Sequence, residues 1–343
     1  MSSLHSSKYL FDPRPNYPML VCVKQYYDPK TRCTDPNALT LIAVHGSGHT
    51  KEIWEPCLDD LFVLVKSKGL KVNDVWSIEL PSHGETAAMN AKVVEWCYRP
   101  VFRSEDISRA IHAVVMHLGT GMDVDLSKRR LVGIGHSIGA LGMLLTPNFY
   151  PSIPWDSLIA IEAVVRPPSA FTSKMQNFLV TNSERQVDTW LSLAEARRTM
   201  LQKSTWKIWD TRCFETYIKY ALKPVNSEDP EGPVTLKTSK MDAAATQRDP
   251  QGIRLSYLNL SGLAKRVPTH LIYGAVPDLL DEAGRNETIN VTSGGRDKLA
   301  SVKVIEGAGH LVIVTHPREL ASAIFDALQI DAHSSAPLAK GRL

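Results

Sequence analysis

The sequence lacks a paired set of cysteines. Its five cysteines are odd in number, widely spaced and without a C-x-x-C pair, which argues against a disulfide framework or a zinc site. It also lacks an apolar run of roughly 18 residues, so no transmembrane helix is expected. The N-terminal segment has no continuous apolar core of the kind found in signal peptides. These absences favour an intracellular protein with reduced thiols.

A dense basic block is missing as well. The 39 Lys and Arg against 36 Asp and Glu give a net charge of +3, so no nucleic-acid partner is expected. Apolar residues make up 43% and charged residues 22% of the chain, which is typical of a globular rather than a disordered protein. The length of 343 residues fits one large domain with an insertion.

Short β-branched runs alternate with longer helical patterns. This alternation predicts an α/β fold in which a mostly parallel central sheet is flanked by helices. Most of the runs are continuously apolar, as expected for strands that are buried on both faces. The predicted strands are 19–26, 39–44, 74–78, 131–135, 158–164, 269–273 and 302–305, and the predicted helices are 54–68, 105–118, 138–145 and 319–328.

The alternation stops between residue 167 and about residue 263. This segment has helical periodicity over 183–202 and 213–222 and shows no convincing strand. We predict a helical cap insertion (167–263) between two parts of an α/β core (1–166 and 264–330), followed by a flexible tail (331–343). Large aromatic residues in the insertion suggest a roomy apolar pocket, or else the core of the cap itself: Trp190, Trp206, Trp209, Phe214, Tyr217 and Tyr220.

One segment places a serine between an apolar run and a helical pattern. The sequence G-H-S-I-G at residues 135–139 matches the G-x-S-x-G pattern in the strand–turn–helix context that this pattern requires. In that context Ser137 projects at the N-terminus of a helix, where free N–H groups favour developing negative charge. We therefore predict that Ser137 is a nucleophile, the alternative being a Gly-rich turn with an idle serine.

An earlier Gly-rich loop, H-G-S-G, follows another predicted strand. The backbone N–H of Ser47, together with the N–H of Ile138, is predicted to form an oxyanion hole. A plain turn is the alternative, and a metal site built from His45, His49 and His83 is a further option. No carboxylate or cysteine lies at a suitable spacing, so neither a metal nor a cofactor is expected.

His310 lies on a Gly-rich loop after a late predicted strand. A histidine on such a loop can fold back onto Ser137 and take its proton as a general base. His316 is the local competitor, but it precedes Pro317 and is expected to belong to the entry of a helix. The other interpretation of His310 is a histidine on a surface loop.

Two carboxylates compete for the third position of a catalytic triad. Glu162 lies in an apolar strand 25 residues after Ser137, where a buried carboxylate is costly unless it has a partner. Asp278 follows Pro277 in a turn-like sequence just past a predicted strand. The structural alternatives are a satisfied core acid for Glu162 and simple turn chemistry for Asp278, so the residues alone leave both candidates open.

These patterns give the chain a resemblance to the α/β-hydrolases over nearly its full length, because the serine comes first and the histidine last. The stretch LPSHGET resembles the loop after the fourth strand of that superfamily. More narrowly, the chain resembles fungal peroxisomal hydrolases of toxin and polyketide biosynthesis, the group of the mycophenolic acid acyl-CoA hydrolase and the AK-toxin biosynthesis hydrolase. This narrower resemblance rests on IEAVVRPP, on the cap sequence LAEARRTMLQKSTWKIWDTRCFETYIKYAL and on the C-terminus.

The resemblance implies an α/β-hydrolase fold and a serine hydrolase that cleaves an acyl thioester or ester in fungal secondary metabolism. It also implies that Glu162 is the acid, because the acid of that group follows the sixth strand, although the best-understood member has Asp there. The last three residues, 341–343, resemble a peroxisomal signal, which implies a peroxisomal location with an import receptor as a partner. A cytoplasmic location is the alternative.

Other functions stay open at this point. A carboxylesterase, a lipase-like enzyme or a C–C hydrolase is the enzymatic alternative, and a ligand-binding pseudo-hydrolase is the alternative without catalysis. The expected partner is a small-molecule acyl ester or the CoA thioester of a bulky acyl chain. Cap cations that are candidates to hold the phosphates of CoA, or else to form a solvated helix face, are Arg197, Arg198, Lys203, Lys207 and Arg212.

Overall fold

The computed structural model describes residues 4–30, 32 and 35–334 of the chain. Its strands are β1 (His5–Phe11), β2 (Val21–Tyr27), β3 (Leu39–Val44), β4 (Val72–Ile78), β5 (Arg130–His136), β6 (Trp155–Ile161), β7 (Thr189–Trp190), β8 (Leu222–Pro224), β9 (Val234–Leu236), β10 (Thr269–Gly274) and β11 (Ser301–Ile305). Its α-helices are α1 (Glu55–Lys68), α2 (Gly84–Val93), α3 (Ser104–Val115), α4 (Ile138–Leu144), α5 (Ala170–Arg185), α6 (Leu193–Gln202), α7 (Ser204–Lys207), α8 (Thr211–Ala221), α9 (Lys240–Gln247), α10 (Pro250–Ala264), α11 (Glu282–Glu287), α12 (Val312–Thr315) and α13 (Pro317–Ser334).

The main sheet has the strand order β1-β2-β4-β3-β5-β6-β10-β11. β2 is antiparallel to both β1 and β4, and all the other neighbours are parallel. β3 and β10 are buried along their whole length, which is why continuous apolar runs predicted them. The predicted mostly parallel sheet is therefore confirmed.

Helices cover both faces of this sheet. On one face α1 and α13 pack in a cluster that includes Leu58 and Leu320, and on the other face α3, α4 and α10 pack around Ile107, Leu141 and Leu260. All of the sheet's parallel strands end at the same edge, where the loops after β3, β5, β6, β10 and β11 meet. The flanked sheet therefore brings segments that are distant in the sequence to one edge. Within the described part of the chain, no helix combines the length and the apolar character needed to cross a membrane.

The segment between β6 and β10 contains more than helices. It forms α5 to α10 and a small antiparallel sheet in the order β7-β9-β8. The expectation of no strand here is wrong, because strands of two or three residues are too short to show a periodic pattern. Residue 263 lies inside α10, and Leu260 and Leu263 are buried in the core, so this helix connects the cap to the core.

The last helix is longer than predicted. α13 continues to Ser334, so residues 331–334 are helical rather than part of a tail that begins at 331. Its end is tied to the sheet by Asp331, which accepts a hydrogen bond from Ser157 Oγ at 2.5 Å and lies 3.0 Å from Nε2 of His270. The rest of the predicted tail, including residues 341–343, lies outside the described residues.

Candidate active site

Ser137 lies at the turn between β5 and α4. Its backbone angles, φ 54° and ψ −122°, are unusual for a residue with a side chain and indicate a sharp turn. A Cβ atom on Gly135 would lie 2.5 Å from Cα of Ala140, and one on Gly139 would lie 2.5 Å from the carbonyl oxygen of His45. The turn therefore requires glycine at both positions, which places Ser137 at the carboxyl edge of the sheet.

The ring of His310 lies between Ser137 and Glu162. Nε2 of His310 is 3.0 Å from Oγ of Ser137, and Nδ1 is 3.0 Å from Oε2 of Glu162. A carboxylate only accepts hydrogen bonds, so the contact with Glu162 keeps the proton on Nδ1 and leaves the Nε2 lone pair facing the serine hydroxyl. The structure thus brings together three residues that are far apart in the sequence, in an order suited to proton transfer from the serine.

Glu162 follows β6 and is only 3% exposed. Its φ of 52° lies in the left-handed region, which is uncommon for a residue other than glycine. Its second carboxylate oxygen, Oε1, accepts the backbone N–H of Gly274 at 2.6 Å. The two hydrogen bonds supply the partners that a buried carboxylate needs and fix the side chain against the ring of His310.

Asp278, the competing acid, is exposed and contacts the main chain of the histidine loop instead of the imidazole. Its two oxygens accept the backbone N–H of His310 at 2.9 and 3.1 Å. On the other side, the carbonyl oxygen of His310 is 2.9 Å from Nε2 of His136. Burial lowers the pKa of His136 to about 3, so its ring is neutral and donates through Nε2–H. Sequence reasoning missed this clamp on the main chain of His310.

The loop that carries Ser47 approaches Ser137 closely, since a Cβ atom on Gly46 would lie 3.2 Å from Cβ of Ser137. His45 accepts the backbone N–H of Leu80 at Nε2, so its Nδ1–H donates to the carbonyl oxygen of Gly46 at 2.8 Å. Burial lowers the pKa of His45 well below its usual range and keeps the ring neutral. Because a trans peptide directs its C=O and N–H to opposite sides, the anchored carbonyl fixes the direction of the Ser47 N–H.

The second predicted donor is the N–H of Ile138, the first residue of α4. Such a position has no acceptor within its own helix. Among the described residues, the backbone N–H groups of Ser47 and Ile138 donate to no protein acceptor. Two free donors beside Ser137 are the arrangement that an oxyanion requires.

The three histidines that the sequence offered as a metal-site alternative do not form such a site. In the described part of the chain, the ring nitrogens of His45, His49 and His83 do not come close enough together to form a group that could hold a metal ion. The potential cluster there consists of Cys22, Glu79 and Glu85, and Nζ of Lys51 lies 3.3 and 3.2 Å from the two carboxylates. This ammonium group neutralises the position that a cation would take.

A small cavity of ≈ 40 Å³ opens beside Ser137 beneath α5 and α9. None of the six aromatic residues predicted for a roomy pocket is among its described lining residues. Trp206 instead packs against Trp209 and Tyr217 with tilted rings, whose centroids are 4.5 and 4.9 Å from its own. Trp190, Trp206 and Tyr217 line a separate cavity of ≈ 300 Å³. The apolar walls of the serine cavity are Ile138, Leu141, Val164, Met175, Leu179, Ile253 and Leu279.

Two of the candidate phosphate-binding cations form close ion pairs with carboxylates. Arg197 forms a bidentate ion pair with Glu215 within the cap. Arg212 forms another with Asp60 of α1, at 3.1 and 2.9 Å. Arg198 lies 3.8 Å from a neighbouring carboxylate. Arg197 thus joins two cap helices and Arg212 joins the cap to α1, which weakens the case for a phosphate clamp built from these two arginines.

The sequence of the chain matches one protein family and several curated relatives. The sequence profile of the Alpha/beta hydrolase family matches residues 41–323. The chain is 26% identical to the type I acyl-CoA thioesterase mpaH of Penicillium roqueforti over 207 residues, which cover 59% of this chain and 44% of the relative. It is 25% identical to mpaH′ of Penicillium brevicompactum over 259 residues, which cover 68% and 57%. The chain thus spans about half the length of these curated relatives.

Solved structures show the same architecture. The peroxisomal alpha-beta-hydrolase Lpx1 of Saccharomyces cerevisiae matches with a TM-score of 0.73 and 19% identity, over 100% of this chain and 93% of that chain. The thioesterase domain from the curacin biosynthetic pathway matches with a TM-score of 0.62 and 17% identity, over 94% and 99%. An esterase of M. tuberculosis matches with a TM-score of 0.64 and 12% identity, over 96% and 92%. At these identities the likeness shows the fold.

Proposed function

Because the chain belongs to the alpha/beta hydrolase family, we propose that it is a serine hydrolase that cleaves an acyl thioester or ester. One observation carries this proposal, namely the continuous hydrogen-bonded row from Ser137 through His310 to Glu162, with 3.0 Å at each step. Nucleophile, base and orienting acid are then all within reach of one another before a substrate is bound.

In the proposed reaction, Oγ of Ser137 attacks the carbonyl carbon while Nε2 of His310 accepts the serine proton. The N–H groups of Ser47 and Ile138 bind the oxyanion that forms. His310 then returns the proton to the leaving thiolate or alkoxide, and an acyl-serine remains. Glu162 holds the ring and stabilises the imidazolium in both steps. A water molecule deprotonated by His310 then attacks the acyl-serine, and His310 returns the proton to Oγ of Ser137 as the carboxylic acid is released.

The walls of the cavity support an apolar acyl group. We propose a thioester substrate on the similarity to proteins named acyl-CoA thioesterases, with an oxygen ester as the alternative. A role in fungal secondary metabolism, implied by the sequence resemblance, stays a prediction. A comparison of an acyl-CoA with its N-acetylcysteamine thioester tests CoA recognition, because the short thioester keeps the acyl group and lacks the phosphates. Equal catalytic efficiency on both would favour a simple carboxylesterase.

The nucleophile is tested by turnover of Ser137→Ala on panels of acyl-CoA and acyl ester substrates. A loss of several orders of magnitude is expected, since removal of a triad serine has effects on the order of 10⁶ in kcat in a well-studied protease. Ser67→Ala, an exposed serine on α1, is the matched control and should hydrolyse normally. Near-full activity of Ser137→Ala contradicts the proposal, and an unaltered protein that binds acyl ligands without turnover is a pseudo-hydrolase.

We propose a peroxisomal location, supported by the fold shared with a protein named as peroxisomal. The test is an N-terminal fluorescent fusion, compared with the same fusion without residues 341–343. We expect puncta in the first case and a diffuse distribution in the second, because residues 341–343 resemble a signal that a peroxisomal import receptor binds. A diffuse distribution of the intact fusion contradicts this proposal.

A further inference from the structure

Thr246 of the cap contacts the loop that carries the oxyanion donor. It is 1% exposed, lies on α9 and lines the cavity beside Ser137. Its Oγ1 donates to the carbonyl oxygen of Ala243 at 2.8 Å and lies 2.8 Å from Oγ of Ser47. Because a hydroxyl has one proton, Thr246 Oγ1 accepts the proton of Ser47, for which the Ala243 carbonyl is a more distant acceptor at 3.4 Å.

Ser47 is held from the core side as well. Nε2 of His83 lies 3.5 Å from Oγ of Ser47, and burial lowers the pKa of His83 to about 3, which makes the ring neutral. Ser47 stands between Gly46 and Gly48, and Gly48 has a φ of 78°. Glycines on both sides leave a backbone with wide conformational freedom. The hydroxyl anchor restricts that freedom at Ser47, one of the two residues whose N–H groups are proposed to bind the oxyanion.

The cap side of this contact is itself firmly attached to the core. The carbonyl oxygen of Ala245 on α9 accepts the backbone N–H of Phe102 at 3.0 Å. Asp242 on the same helix accepts a hydrogen bond from Nε of Arg99 at 2.9 Å. Just before α9, Oγ1 of Thr238 accepts the backbone N–H of Gly84 at 2.9 Å. α9 is therefore a fixed support, and Thr246 offers its oxygen from a defined position.

We propose that Thr246 is a positioning residue that aligns the oxyanion donor of Ser47 through the hydroxyl-to-hydroxyl hydrogen bond. This proposal rests on the proposed serine hydrolase function. It gives the cap a part in catalysis besides covering the serine, since the cap holds the side chain of Ser47 while His45 of the core anchors the peptide that carries its N–H. Preorganised donors accelerate acyl transfer because they need no reorientation as charge develops in the transition state.

The test begins with Thr246→Val, which keeps the shape and removes the acceptor. We expect kcat to fall by ~10-fold with KM nearly unchanged, less than the ~100- to 1000-fold of a lost donor, because the N–H remains but is less well aligned. Thr246→Ser keeps the hydroxyl and should recover most of the activity. The matched control is Thr238→Val, which removes one of the three described attachments of α9 to the core and no contact of Ser47 itself, so kcat should fall far less than in Thr246→Val.

A double-mutant cycle isolates the pair. Ser47→Ala removes the hydroxyl and keeps the N–H, so Thr246→Val should cause no further loss in that background. Additive losses, an equal loss for Thr238→Val or an unchanged kcat for Thr246→Val would overturn the proposal. Hydrogen exchange of residues 44–52 gives a readout without turnover, and it should rise in Thr246→Val and not in Thr238→Val. Absence of turnover in the unaltered protein contradicts the hydrolase function, whereas unchanged exchange contradicts the positioning role.

Discussion

At the scale of single residues, two carboxylates hold the same histidine in different ways. Glu162 contacts the ring of His310, whereas Asp278 contacts its backbone N–H. We expect Glu162→Gln to lower kcat by about 10³- to 10⁴-fold, because an amide at this position permits the tautomer that donates to the serine. Asp278→Asn keeps an acceptor for the backbone N–H and should lower kcat by less than about 10-fold. Measured kcat values with the opposite ranking would place the acid at Asp278.

Short sequence motifs were enough to predict some residues of the candidate site. Ser137, Ile138 and Ser47 occur in short Gly-rich sequences with a known structural context. The roles of His136 and Thr246 depend on tertiary contacts. Ser47 and Thr246 are 199 positions apart, and no local pattern pairs them. His136 directly precedes Ser137 in the sequence, but its contact with the carbonyl oxygen of His310 joins segments 174 positions apart.

At the scale of elements, α5 buries fewer of its residues than α4, α9 and α10, three other helices that line the serine cavity. It buries only Thr172 and Met175 among its described residues, and Met175 lines the cavity. We expect Met175→Ala to shift the preference toward longer acyl chains, because it enlarges a space of ≈ 40 Å³. The measurement is the ratio of kcat/KM on long and short acyl substrates, which should rise by ~10-fold, the effect of about 1.4 kcal/mol.

Phe178→Ala serves as the matched control on the same helix. Its side chain is 60% exposed and lines no part of the cavity. The chain-length profile of this variant should match that of the unaltered protein. An unchanged profile for Met175→Ala, or the same shift in both variants, would show that α5 does not limit the acyl group.

Sequence reasoning missed or misplaced several elements, each for its own reason. β1 alternates between exposed and partly buried residues at the edge of the sheet, so it lacks the apolar run of a central strand. α2 (Gly84–Val93) begins inside the stretch that the resemblance assigned to a loop. The helical pattern over 183–202 is divided between α5 and α6, with β7 between them. The buried central strands were predicted because burial on both faces leaves a strong apolar signature. In contrast, α10 (Pro250–Ala264) was not predicted, although Leu260 and Leu263 are buried.

At the scale of the whole molecule, buried neutral histidines make stability depend on pH. Burial lowers the pKa of His49, His83 and His136 from the ordinary 6.5 to about 3. Between pH 6.5 and 3 the unfolded chain therefore binds protons that the folded protein does not, so the free energy of unfolding falls as the pH falls. Each such histidine contributes a slope of up to about 1.4 kcal/mol per pH unit.

Denaturant unfolding from pH 7 to pH 4 measures this slope. His49→Gln should reduce the slope by up to about 1.4 kcal/mol per pH unit, which corresponds to one proton fewer bound on unfolding. His5→Gln, which removes an exposed histidine, is the control and should leave the slope unchanged. If His49→Gln leaves the slope unchanged, His49 is not the neutral buried group described above.

The fold as a whole was predicted from the sequence, and the match of the alpha/beta hydrolase family to residues 41–323 confirms the resemblance. The size of the serine cavity was not predictable from the sequence. It depends on where the cap aromatics point, and Trp206 and Tyr217 turn toward one another rather than toward Ser137. Composition indicates that large aromatics are present, whereas tertiary packing decides which surface they line.

The central claim is that Ser137 is a nucleophile activated by His310. The most direct measurement is reaction with a fluorophosphonate probe followed by digestion and peptide mapping by mass spectrometry. The account predicts a covalent adduct on Ser137, no adduct in Ser137→Ala and much slower labelling in His310→Gln, because the probe forms its bond only with an activated serine. An adduct on a different residue, or a protein that hydrolyses acyl substrates while Ser137 stays unlabelled, would contradict it.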